Sequence, residues 1–174
     1  MIYKLLFTLL ILASFNSDAK GTYQAPDEFI AQAFSEKVPD PSFVWVKGEL
    51  KQHIEHILQH KNQYRRIRFW QQGQRSVWVL KEIGKEKPIT VGIVIDSNKI
   101  TQLKVLIFKE SRGWEVRYPF FTKQFNQLSL IKDNQLSDRI DSISGATLSV
   151  RALRKLARIA LLLNINIQQP ALEK

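Results

Sequence analysis

The run Ile89-Thr90-Val91-Gly92-Ile93-Val94-Ile95-Asp96-Ser97-Asn98-Lys99-Ile100-Thr101-Gln102-Leu103-Lys104-Val105-Leu106-Ile107-Phe108 decides the fold. Ile89, Val91, Ile93 and Ile95 recur at every second position, the period of a strand with one buried face. Asp96-Ser97-Asn98 is turn chemistry, and Ile100 to Phe108 resumes as a strand with Leu103, Val105 and Ile107 on one face. Upstream, Arg65 to Trp70 sets Ile67 and Phe69 against Arg66 and Arg68. Gln71-Gln72-Gly73-Gln74 turns the chain, Ser76 to Leu80 is another strand, and Ile83 to Lys87 leads to Pro88. Four successive strands joined by short polar turns predict an antiparallel meander.

Helices flank these strands. Pro26 to Phe34 places Phe29, Ile30, Ala33 and Phe34 at helical spacing, with Pro26, Asp27 and Glu28 in the first turn. Pro39 and Pro41 then break the chain. From Lys47 to about His60, Leu50, Ile54, Ile57 and Leu58 form one stripe. Glu110 to Pro119 reads as a polar and aromatic loop, Phe120 to Phe125 as a helical turn, and Asn126 to Arg139 as irregular. Ser149 to Leu163 is the clearest helix. Leu153, Leu156, Ala157, Ala160 and Leu161 form its sheet-facing arc, and Arg151, Arg154, Lys155 and Arg158 form a basic arc opposite. The expected class is α+β, an antiparallel meander with helices packed on it.

The chain has 174 residues, room for one ordinary domain, and a formal charge of +10 that suits an acidic partner. It has no cysteine, which excludes disulfides, iron–sulfur clusters, thiolate zinc sites, c-type haem attachment and a cysteine nucleophile. Lys4, the apolar run Leu5 to Ala13 and the small residues Ser17 and Ala19 make the three-part pattern of a secretory signal. That run is too short to span a bilayer. Cleavage after Ala19 would remove Lys4 and Asp18 and leave the net charge unchanged. The expected organisation is a signal peptide at 1–19, an N-terminal helical region at 20–64 packed on the domain, and the functional domain at 65–174. An exported, periplasmic chain does not meet genomic DNA, so no nucleic-acid partner is expected.

Asp141-Ser142-Ile143-Ser144-Gly145-Ala146-Thr147 carries the chemistry. It is a small-residue turn feeding a helix start, with hydroxyls on Ser144, Thr147 and Ser149. Gly145 and Ala146 leave the backbone uncovered. Unpaired amides and the helix dipole favour an anion there. The same residues also read as a plain N-cap with nothing bound.

The pattern Asp-x-x-Ser-Gly-Ala-Thr resembles the flavinylation motif of the FMN-binding domain family. That family includes the flavin-carrying subunits of the sodium-pumping NADH:quinone oxidoreductase and of Rnf-type complexes, and small exported proteins. Glu110-Ser111-Arg112-Gly113-Trp114-Glu115 resembles the family's loop facing the flavin, and Phe120 to Phe125 its aromatic segment ending in Gln-Phe. The likeness runs from Arg65 to Leu163. It implies FMN as the cofactor, at the N-terminus of the last helix. It also implies a phosphoester to Thr147 installed by an FAD-dependent flavin transferase. The implied cofactor-binding residues are Asp141, Ser144, Gly145, Ala146, Thr147 and Leu148, with Glu110, Gly113 and Trp114 from the loop. Two departures point to the small exported branch. The loop reads Glu-Ser-Arg-Gly where the large subunits have Glu-Thr-Pro-Gly, and their N-terminal membrane helix has no counterpart.

Trp114, Tyr118, Phe120 and Phe121 are candidates to line a flat slot for the ring, each equally readable as core. His53, His56 and His60 lie along one helix flank; with no carboxylate or cysteine cluster they read as a solvated face, and no metal is expected. Asp27/Glu28 and Asp138/Asp141 read as helix-start and turn chemistry. The function expected is an exported electron carrier, peripherally associated with the membrane, with an unidentified membrane or periplasmic redox partner. The alternative is a non-redox binding module for a phosphate-bearing ligand or acidic protein. A reductase with its own donor site lacks a nicotinamide motif.

Overall fold

The computed structural model describes residues 21–35 and 37–168. The expected signal peptide at 1–19 lies outside the described residues. Helix α1 (Pro26–Ala33) opens the fold, followed by strand β1 (Ser42–Trp45) and helix α2 (Gly48–Leu58). Strands β2 (Arg66–Gln72), β3 (Arg75–Ile83), β4 (Pro88–Asp96) and β5 (Lys99–Phe108) follow without interruption. After a 3₁₀ turn at Trp114–Arg117 come a one-turn helix, α3 (Pro119–Thr122), and the two-residue strands β6 (Leu130–Ile131) and β7 (Gln135–Leu136). Helix α4 (Thr147–Gln168) closes the described chain.

The sheet order is β1-β2-β3-β4-β5 and every pairing is antiparallel, an α+β meander in sequence order. It has one more strand than the sequence suggests. β1 comes from the region expected to be helical, since four residues between Pro41 and Gly48 are too short to show a period. A second difference lies in β5, where Leu103 and Val105 pack in the main core but Ile107 does not. Val91 pairs with Val105 and Thr90 with Ile107, so Leu106 is an extra residue. A bulge of one residue inverts the alternation beyond it. Phe108 therefore takes the core position, and Leu106 and Ile107 turn to the opposite face.

Both sheet faces carry helix. On one, α2 and α4 bury Ile54, Ile57, Leu153, Leu156 and Leu161 against Trp78, Ile93 and Leu103. On the other, Phe29, Ile30 and Phe34 from and beside α1 cover Val77, Val94 and Leu106. The segment expected to be irregular, Asn126 to Arg139, contains the β6–β7 pair, turned through left-handed Asp133 and Asn134. Strands this short leave no sequence signal.

Three polar links tie α4 to the sheet and to the β6–β7 turn. Asn164 is fully buried; its Oδ1 accepts from Ser76 Oγ at 2.6 Å and its Nδ2 donates to Asn98 Oδ1 at 2.8 Å. Trp78 Nε1 donates to the same Ser76 oxygen at 2.8 Å. Lys155 Nζ lies 3.2 Å from the buried Glu82 carboxylate, which His60 also meets at 3.1 Å. Arg158 Nε donates to the Asn134 carbonyl, and burial with the nearby Arg154 charge holds its pKa below the usual arginine value. The arc expected to be basic and solvated is thus half internal: Arg151 and Arg154 are exposed, Lys155 and Arg158 are not.

Asn164→Leu should lower unfolding free energy by about 1–3 kcal/mol in urea titrations, because Ser76 and Asn98 lose a buried partner. His60 supplies a pH signature. Its Nδ1 meets the Lys61 carbonyl and its Nε2 meets Glu82; both favour the imidazolium and raise its pKa above 6.5 against partial burial and the Lys155 charge. This contribution is complete below the unfolded value and is lost as pH rises through the raised folded value. The urea midpoint should fall across that window, and His60→Gln should flatten this part of the profile.

Candidate functional site

Thr147 is the first residue of α4 and its side chain is exposed. The turn before it is compact: Ala146 N–H donates to the Ile143 carbonyl at 3.0 Å, and Val150 N–H to the Ala146 carbonyl at 2.9 Å. Between these two, the amides of Thr147, Leu148 and Ser149 have no acceptor among the described residues. Ala146 is buried and anchors the turn, while Asp141, Ser144, Gly145 and Leu148 are exposed around it. Gly145 adopts φ +80° and faces open space. The helix start is therefore a cluster of unpaired donors, exposed at Thr147 and Leu148 and buried at Ser149, beside an exposed hydroxyl, a geometry that favours a phosphate.

The loop after β5 is brought to this turn by Gly113. It adopts φ +82°, and a Cβ there would lie 2.6 Å from Ser149 Oγ and 3.4 Å from Ala146 Cβ. Only glycine allows this approach, and the next residue is Trp114. Trp114 is 41% exposed and meets Tyr118 edge-on at 5.6 Å; Tyr118 in turn lies 6.3 Å from Phe120. Arg117 sits among the rings, 4.3 Å from Tyr23, 4.9 Å from Tyr118 and 5.4 Å from Trp114. Its Nη2 donates to Tyr118 Oη at 3.1 Å, and its Nε is buried with no hydrogen-bond partner. Phe121, by contrast, is fully buried against Phe125 and belongs to the core.

Asp141 N–H donates to Gln124 Oε1 at 2.8 Å, which fixes the start of the turn to the segment ending in Gln-Phe. Glu110 lies in a different environment. Its Oε1 accepts from the amides of Lys85, Glu86 and Lys87, so it clamps the β3–β4 turn. Burial alone would raise its pKa, but these three hydrogen bonds and the Lys85 charge outweigh that and hold it below the usual glutamate value. That oxygen is committed to the hairpin, and Glu110 reaches the turn only through the loop it steadies. Thr147, Ala146, Gly113 and Trp114 are brought together as the sequence suggests. Ser149, whose hydroxyl the sequence also marks, joins them, and so do Tyr23 and Arg117, which the sequence does not mark as site residues. Tyr23 carries no signal, being 91 residues from Trp114 in the chain.

A hollow of about 1070 Å³ lies elsewhere, with Phe43, His53, Leu162 and Ile167 in its wall. Leu162 is about 22 Å along the α4 axis from Thr147. The hollow contains none of the turn's residues. The three histidines do not converge: His53 meets Asn134 Nδ2 and His60 meets Glu82. Among the described residues no group of three or more His, Asp or Glu is placed to hold a metal. None of the described helices is long and apolar enough to cross a membrane.

Residues 84–162 match the FMN-binding domain family. That segment, from the β3–β4 turn to the middle of α4, is similar to the family, and the match supports FMN as the cofactor. The match starts later than the Arg65 expected, so β2 and β3 lie outside it as well as β1. No curated protein and no solved structure matches the chain. The residues present fit the cofactor: free amides for a phosphate, and exposed rings a short step away through Gly113.

The two motif glycines should differ on substitution. Gly145→Ala faces only the left-handed backbone cost, about 1–2 kcal/mol, and should retain FMN. Gly113→Ala adds the clash with Ser149 and should lose more stability and most FMN retention in a desalting assay. Adding Ser149→Ala should recover part of that difference.

Proposed function

We propose that the protein is an exported flavoprotein that holds FMN through a phosphoester to Thr147 and serves as an electron carrier in a bacterial envelope redox chain. The observation that carries this reading is the exposed Thr147 hydroxyl on the first turn of α4, beside three amides without acceptors. Thr147 Oγ1 contributes the ester oxygen, and the amides of Thr147, Leu148 and Ser149 face the single negative charge the phosphodiester retains. Gly145 leaves room for the linkage. Trp114 and Tyr118 offer ring surface to the flavin, and Arg117 Nε offers a donor that the described residues leave unused. FMN supplies the redox chemistry; the chain supplies attachment, orientation and exclusion of water.

An FAD-dependent flavin transferase installs the group, since this small domain has no nucleotide motif of its own. A covalent link keeps the cofactor from diffusing away outside the cytoplasm. The redox partner is a periplasmic or membrane protein that approaches the exposed ring cluster.

Co-expression with a flavin transferase should give a protein band whose flavin fluorescence survives denaturing electrophoresis. Thr147→Ala should abolish the band and Thr147→Ser should retain it. A colourless wild-type protein under those conditions overturns the covalent reading, and Thr147→Ala with undiminished fluorescence moves the attachment elsewhere.

A further inference from the structure

On the face that carries α1, the helix covers β3 to β5, meets β2 at Trp70, and has no β1 residue in its cluster. There Phe43 is 40% and Trp45 61% exposed. Across the strand pairing, Phe43 is opposite Arg68 and Trp45 opposite Arg66. Both guanidinium groups lie over the Phe43 ring, Arg66 at 4.6 Å and Arg68 at 5.6 Å. At the end of β1 a hollow of about 560 Å³ is lined by Trp45, Lys47, Lys51, Tyr64 and Arg65, with no acidic residue in its wall. Tyr64 holds its place there by donating to the Lys81 carbonyl at 3.0 Å. Three carboxylates border the patch: Asp27 lines a hollow with Arg66 and Arg68, Glu49 lines one with Phe43 and Trp45, and Glu55 binds the Asn62 amide at 3.0 Å and lies 3.9 Å from Lys51.

We propose that this edge of the sheet is a docking surface for an anionic phospholipid membrane. Cations next to outward-facing aromatic rings are the pairing that a bilayer interface rewards: the cations meet headgroup phosphates, and the rings settle at headgroup level. The charge complementarity is diffuse, with Lys51, Arg65, Arg66 and Arg68 spread over a strand pair and the start of a helix, which suits a layer of headgroups better than a single acidic side chain on a protein. Trp45 is more exposed than an aqueous surface favours, and the interface gives its ring a less polar setting. The surface lies on β1 and β2, whereas the Trp114 loop leaves β5, the other edge of the sheet and about 19 Å away. The protein then rests on lipid by one edge with the helix start of Thr147 still accessible. The inference stands independently of how FMN is attached.

The test uses the protein from which residues 1–19 have been removed. It is sedimented with vesicles of phosphatidylcholine alone and of phosphatidylcholine with about one third phosphatidylglycerol. Binding is expected to the second only, at least tenfold stronger, and to weaken as salt rises from about 0.05 to 0.5 M. Arg66→Glu/Arg68→Glu should reduce the partition at least tenfold. Arg151→Glu/Arg154→Glu, which removes the same charge from α4, should change it less than threefold. If the strand pair loses stability in the first variant, Lys51→Glu/Arg65→Glu at the hollow gives the same readout. Brominated lipid should quench part of the tryptophan emission, and Trp45→Phe should lose that part. Equal loss in both double variants would reduce the effect to net charge and overturn the proposal. So would absent vesicle binding, including the case in which the patch instead captures an acidic protein.

Discussion

The site depends on one close approach. The loop after β5 and the first turn of α4 are 36 residues apart between Gly113 and Ser149, and they meet because Gly113 has no side chain. Without that contact the Trp114–Tyr118–Phe120 rings have no fixed relation to Thr147. The approach is steadied from both sides. Glu110 holds the loop's first part to the β3–β4 amides, and Gln124 holds the turn at Asp141. Two hydrogen-bonded clamps and one glycine thus assemble a surface from segments that share no secondary structure.

The amphipathic elements were legible in the sequence. The alternation of Ile89, Val91, Ile93 and Ile95 and the stripe of Leu153, Leu156, Ala157 and Ala160 are both carried by packing, which leaves a period behind. The elements that escaped are those that packing does not pattern. β1 is too short for a period, and β6 and β7 have two residues each. The Leu106 bulge inserts one residue with no local composition to mark it, so Ile107 and Phe108 exchange faces unannounced.

The site divides in the same way. The turn before Thr147 was legible as a helix start, and only its resemblance to the family motif set it apart from a plain N-cap. The role of Glu110 was not. A glutamate in a loop has the same letter whether it turns toward a ligand or folds back onto three amides, and only the tertiary path of the β3–β4 turn decides. Tyr23 and Arg117 show the same limit: their contact depends on the chain's start returning to β5.

That return leaves the two edges of the sheet unequal. Along β5, Gly21 accepts from the Phe108 amide at 2.7 Å, and Tyr23 and Gln24 donate to the Leu106 carbonyl. Among the described residues nothing similar lines the outer side of β1. A bare edge is an invitation to strands of other molecules. Here the invitation is poor, because the edge offers only the four residues from Ser42 to Trp45 and is flanked by Arg66 and Arg68. Two copies meeting edge to edge would bring like charges together before completing a ladder. The shortness of β1 thus lets the molecule carry exposed rings at high concentration without stacking on itself.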